Sequence, residues 1–254
     1  MAIPNFAVVY AGKIVGDMQA HYRSLPLGAS VGRYESEVEA LLLLLQGVRH
    51  IDAVIELSRS SPDYVPSAMV LARAALESVT LAAWLISPED PFERECRYIA
   101  HLERDISART RIAQRKGDEF IQQDRENDAI KEFYESLKTA LAEQGYVHIP
   151  RMPKIVVMIS DVFGRDMAQH YIHASQYAHG GHYSTWLYRR NLGSMKEIEL
   201  SIEPRQWRHA FCLCLDVMGI PAGKIVQRLT GIEPLFTQIW VAEKKAELVR
   251  QFLG

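Results

Sequence analysis

The chain has 254 residues, 48% of them hydrophobic and 24% charged, with a formal net charge of −2. That length suits one large domain, and buries enough apolar surface to fold without disulfides or a structural metal. The near-neutral balance excludes wholesale coating of nucleic acid, though not a local basic face. Three cysteines, Cys96, Cys212 and Cys214, are an odd and sparse set that reads as reduced thiols. No basic region precedes the apolar start MAIPNFAVVYAGKIV, and no run of 18 apolar residues is free of charge. The expectation is therefore a cytoplasmic chain that does not enter a membrane.

In chain order, residues 1–32 carry no clear periodic signal and read as an irregular N-terminal segment. Tyr34–Ser58 predicts a helix: Leu41–Leu45 is apolar on every side, and Val48, Ile51, Val54 and Ile55 follow. Such a helix belongs in the middle of a bundle. Ser36 with Glu39 three residues on has the form of a capping box. Ser60–Pro66 reads as a turn, and Ser67–Ile86 as a second core helix. Its only charges, Arg73 and Glu77, lie four apart and so share a face. Burying them requires pairing, either as a lock between helices or as the wall of a site.

Phe92–Arg115 sets Arg94, Arg97, His101, Arg104, Arg111 and Arg115 on one stripe, with Ile99, Leu102, Ile106 and Ala113 opposite. A solvated face is one reading. A phosphate-facing stripe, with Arg104 and Arg111 among its contacts, is the other, because the arginine fork suits phosphate oxygens. Ala129–Gln144 is amphipathic, with Gly145 as a stop. Pro153–Phe163 reads as a short apolar helix or strand, and Arg165–Ala178 as a helix ended by Gly180 and Gly181. Met195–Ile202 alternates weakly, as a short extended segment would. Pro204–Leu229 is helical with a kink or break at Pro221. Leu235–Leu253 is a final amphipathic helix, so residues 234–254 could dock on the bundle or form a dimer interface. The whole predicts an all-α chain, one helical domain over 1–254 with seven or eight helices in a bundle.

The stretch Arg165–Tyr188, RDMAQHYIHASQYAHGGHYSTWLY, concentrates His170, His173, His179 and His182. Arg165 and His170 form an Arg-x4-His pattern that resembles the motif of HEPN-superfamily ribonucleases. The resemblance implies a HEPN-like bundle that dimerises and joins two motifs at a cleft, with RNA as substrate in a defence or toxin setting. It gives His170 the proton transfers at the ribose 2′-hydroxyl or leaving oxygen, and Arg165 the phosphate. Histidine titrates near neutrality and arginine binds phosphate bidentately, so the residue types suit those roles.

A wider resemblance joins Arg73-Ala-Ala-Leu-Glu77 to Tyr171-Ile-His-Ala-Ser175-Gln-Tyr-Ala-His179. This is similar to uncharacterised bacterial helical families, some of them related to HEPN or abortive-infection proteins. Tyr171, Ser175 and His179 are each four apart and stack on one face. Facing Arg73 and Glu77, they would make a buried polar network. That network could be a pocket for a small-molecule ligand, in an enzyme or a binding protein. It could equally be structural, in a non-catalytic interaction protein. His170 with His173, and His179 with His182, have the one-turn spacing of paired metal ligands. Asp166 is the only carboxylate in the segment, however, and no Glu-x-x-His pair occurs, so neither metal nor cofactor is expected.

Overall fold

The structure is a computed structural model that describes residues 6–25, 33–116, 124–181, 185 and 204–253. All regular elements among them are helical: α1 (Phe6–Ser24), α2 (Glu35–Ser60), α3 (Val65–Ile86), α4 (Pro91–Lys116), α5 (Asp124–Glu143), α6 (Ile155–Phe163), α7 (Arg165–Ala178), α8 (Trp207–Met218), α9 (Ile220–Thr230) and α10 (Gln238–Leu253). Short 3-10 turns at Pro62–Tyr64 and Pro204–Gln206 lead into α3 and α8. The expected weak strand at Met195–Ile202 lies outside the described residues.

The first correction is α1, which occupies most of the segment expected to be irregular. Val8, Ala11, Val15, Met18 and Tyr22 recur at three- and four-residue spacing and are all buried. Gly12 and Gly16 dilute the pattern in sequence, because glycine is a poor helix former. Tertiary contacts hold the helix instead. The Gln19 amide donates to the Val48 carbonyl at 2.9 Å, and the Tyr22 hydroxyl donates to the Met218 carbonyl at 2.7 Å.

The short connection folds α3 back along α2, and α3 becomes the axis of the bundle, touching α2, α4, α6, α7, α8 and α9. Small residues make this possible. Ala68, Ala72, Ala75 and Ala82 are fully buried, and they let neighbours approach a helix whose larger side chains, Leu76, Val79 and Leu85, are buried too. One apolar cluster runs from α1 to α10, and a smaller one of Cys96, Ile99 and Leu141 ties α5 to α4.

The expected break in the Pro204–Leu229 helix is present. The Gly219 amide caps α8 on the Leu215 carbonyl, and Pro221 sits in the first turn of α9, where a missing N–H leaves no bond unmade. Val241, Leu248 and Phe252 of α10 are buried in this chain's own core, as is Phe236 before it, while Leu235 and Ile239 are exposed. Two helical stretches, Val65–Ile86 and Trp207–Thr230, are long and apolar enough to cross a membrane, and most of each is buried inside the bundle.

Candidate functional site

Arg73 and Glu77 point into the bundle, where α7 covers α3, and the residue that meets them is Tyr171. The Arg73 Nε donates to Glu77 Oε1 at 3.0 Å, and the Tyr171 hydroxyl donates to the same oxygen at 2.8 Å. Arg73 Nη2 donates to the Tyr171 hydroxyl oxygen at 3.3 Å, and the guanidinium lies 5.2 Å from the Tyr171 ring centre. The triangle is closed and partly dry. Burial alone would lower the Arg73 pKa, but the Tyr171 hydroxyl and the Glu77 charge reverse this and raise it. Burial is also the main reason the Tyr171 pKa is raised, and Glu77 adds to it against the pull of Arg73.

The rest of the expected Tyr/Ser/His face does not join this triangle. Ser175 Oγ donates to the Tyr171 carbonyl at 2.8 Å, a bond within its own helix. His179 is exposed and caps α7, its backbone N–H reaching the Ser175 carbonyl at 3.2 Å. Four-residue spacing aligns side chains only along a helix interior, and α7 ends at Ala178. Of the three, only Tyr171 meets the ion pair.

The basic stripe of α4 also needs correcting, because its first half is turned inward rather than toward solvent or phosphate. Arg94 is 8% exposed and donates to Glu37 at 3.1 Å, and His101 Nε2 lies 3.4 Å from Glu39 Oε1. Carboxylates on the facing side of α2 supply the countercharge that burial demands. The Glu95 carboxylate accepts the Ser36 N–H at 2.8 Å, doing for the start of α2 what the expected capping box does not. Tyr34 is the N-cap and makes no side-chain cap bond, Ser36 is inside the helix with its hydroxyl buried and unpartnered, and Glu39 serves His101. Arg104 and Arg111 face outward. Arg104 lines a polar cavity of about 420 Å³ together with Glu39, Gln46, Glu77, His101 and Asp105. Arg111 is exposed and its Nε donates to the Ser107 carbonyl at 3.2 Å.

A second polar centre lies where α7 meets α8. His173 and His209 have ring centres 6.0 Å apart, and His173 also packs edge-on against Tyr177 at 5.7 Å. Burial, then the neighbouring His170, lowers the pKa of His173. His209 keeps an edge open to solvent, yet loss of water around its ring, followed by the charges of Arg208, His173 and His170, holds its pKa down as well. His170 itself is exposed. Asp216, two turns further along the same face of α8, is held by Lys245 Nζ at 2.8 and 2.7 Å.

His209 and Asp216 were not singled out in the sequence, although their seven-residue spacing on a predicted helix puts both on one face. Arg165 is the first residue of α7 and exposed, about 140° around the axis from His170 at roughly 100° per residue. A single chain therefore does not converge them on one small group. Among the described residues no three histidine, cysteine, aspartate or glutamate side chains gather as a metal site, and His182 lies outside those residues.

Comparison of the chain with curated proteins and with solved structures returns no match. Residues 39–197 span α2 to α7, and so include both the Arg73–Glu77–Tyr171 triangle and the Arg165–His170 motif. Over those residues, more than half its length, the chain matches the family of unknown function DUF5677, and it belongs to that family.

Proposed function

We propose that this protein is a metal-independent ribonuclease of HEPN-like type, cutting RNA at the histidine face between α7 and α8. The observation that supports this reading is the meeting of His170, His173 and His209 from two helices, beside Arg208. A histidine kept neutral near pH 7 can accept the proton of a ribose 2′-hydroxyl. Loss of water around both rings lowers the pKa values of His209 and His173, which favours that state. The 2′-oxygen then attacks phosphorus, the bond to the 5′-oxygen breaks, and a proton from the exposed His170 neutralises the leaving oxygen. Arg208 suits the phosphate. Arg165, turned away from His170 in its own chain, is available to the strand's approach or to the site of a second copy. In this reading the chain is a homodimer acting in defence or as a toxin, and the exposed Leu235 and Ile239 offer apolar surface for pairing.

The test is cleavage of varied RNAs by purified protein in the presence of a chelator. His170→Ala and His209→Ala are each expected to reduce the rate by about 100-fold or more. Binding is expected to weaken as salt rises, because phosphate contacts release counterions. Absence of cleavage across those RNAs would end the proposal.

A second reading is favoured by the carboxylate of Glu77. The Arg73 Nε and Tyr171 hydroxyl bonds to Glu77 and the Arg73 Nη2 contact at 2.8 Å all fall on Oε1, and the residue lines the 420 Å³ polar cavity. Oε2 is then the atom that a small polar ligand would meet. In that case Glu77→Gln removes ligand binding while His170→Ala leaves it intact, the reverse of the pattern expected for RNA cleavage.

A further inference from the structure

A further cavity of the bundle lies at neither polar centre. It has a volume of about 940 Å³ and opens between the end of α3, the first turns of α4, α6 and α9. Its size falls within the range of sites that enclose small organic ligands, roughly 300–1,000 Å³. Trp84, Ile86, Met158, Val162 and Ile225 give it apolar walls. Three cations, Arg97, Lys224 and Arg228, stand among them against two carboxylates, Glu89 and Asp161.

The cations are not equivalent. Arg228 is already neutralised, its Nη1 lying 2.6 Å from Glu89 and its Nη2 donating to the Pro88 carbonyl at 2.7 Å. Arg97 has no carboxylate partner among the described residues. Its Nη1 donates to the Trp84 carbonyl and to Ser87 Oγ, both at 2.5 Å, and its guanidinium lies 5.1 Å from the Trp84 ring centre. Both hydrogen bonds use one nitrogen, which leaves Nε and Nη2. Arg94, one turn earlier on the same helix, is neutralised by Glu37. Burial lowers the pKa of Arg97 despite the opposing charge of Glu93. A half-buried cation beside apolar walls, held by neutral acceptors only, is the environment that an anion would relieve. Lys224 is exposed at the rim and adds a second positive charge.

We propose that this cavity binds an amphipathic carboxylate, with its apolar body between Trp84 and the walls from α6 and α9. The carboxylate is taken by the open edge of Arg97, with Lys224 at the mouth. An inorganic anion fills too little of the volume and leaves the apolar walls wet. A long amine finds Glu89 already taken by Arg228 and only the exposed Asp161 as a countercharge. The site shares no residue with the histidine face and does not depend on RNA cleavage.

The experiment is titration calorimetry of the full chain with octanoate, octanol and octylamine, three probes that share one apolar body. Octanoate is expected to bind at least about tenfold tighter than either of the others, the size of one charge-assisted contact. Arg97→Gln is expected to remove that preference, and Lys224→Glu to weaken octanoate several-fold. Val162→Trp, at a half-buried wall position, is expected to block all three probes. Lys224 is exposed, so its variant keeps the test open if Arg97→Gln does not fold. Equal binding of octanoate and octanol overturns the proposal, as does no binding at all. It is also overturned if a folded Arg97→Gln, or Lys224→Glu, binds octanoate as the parent chain does.

Discussion

Gly47 stands where α2 crosses α3, and its replacement by alanine is a sharp test of that packing. A Cβ at this position would sit 2.7 Å from Val79 Cγ2 and 3.4 Å from the Ala75 carbonyl oxygen. Val79 is fully buried and β-branched, so its methyl cannot rotate away cheaply, and the helices must move apart instead. Overpacking of this kind costs about 1–3 kcal/mol. Against it stands the gain of about 1 kcal/mol for alanine over glycine inside a helix. The expected net change is a loss of about 1 kcal/mol, read as a lower urea midpoint with unchanged slope. Gly16 in α1 supplies the control, because a Cβ there meets nothing within 4 Å. Gly16→Ala should stabilise by up to about 1 kcal/mol, so the two substitutions should differ by about 2 kcal/mol. Val79→Ala removes the clashing methyl, and in that background Gly47→Ala should become stabilising. If Gly47→Ala alone stabilises the chain as much as Gly16→Ala does, the close approach of α2 and α3 is wrong.

Tyr171→Phe removes two hydrogen bonds from the triangle and should destabilise by about 1 kcal/mol, and in a Glu77→Gln, Tyr171→Phe cycle the two effects should be non-additive; strict additivity would show that the contact is not made. His50, His173 and His209 all have lowered pKa values, with burial as the first cause. The unfolded chain then binds more protons than the folded one once pH drops below about 6.5. Stability should fall from pH 7 toward pH 5, and His209→Gln should flatten the slope of the urea midpoint against pH. A midpoint that rises on acidification across that window would contradict the partial loss of water around these rings. Burial raises the pKa of Cys96, of Cys212 to about 11, and of the fully buried Cys214 as well. Thiol titration should find slow reaction in the native chain and three reactive thiols after unfolding, whereas a fast native thiol would show that one of them is open.

The helical class follows from the sequence alone. Apolar spacing sets α7 to the residue, and α2, α3 and α4 to within two residues at each end, because periodicity is a local property that burial on one face enforces. The pairing of Arg73 with Glu77 was legible for the same reason: two charges four apart in an otherwise apolar helix must find each other or leave the core. Where local signal is weak, only the tertiary structure decides. The α1 helix owes its stability to Gln19 and Tyr22 reaching Val48 and Met218, contacts 29 and 196 residues away along the chain. The orientation of α4 is a similar case. Its sequence reads as a basic stripe opposite an apolar one, and Glu37 and Glu39 on a different helix determine that Arg94 and His101 turn inward. The same holds for the histidine face and for the cavity beside Arg97, each assembled from helices distant in sequence. Helical spacing states which side chains share a face, while the position of that face is fixed by what packs against it.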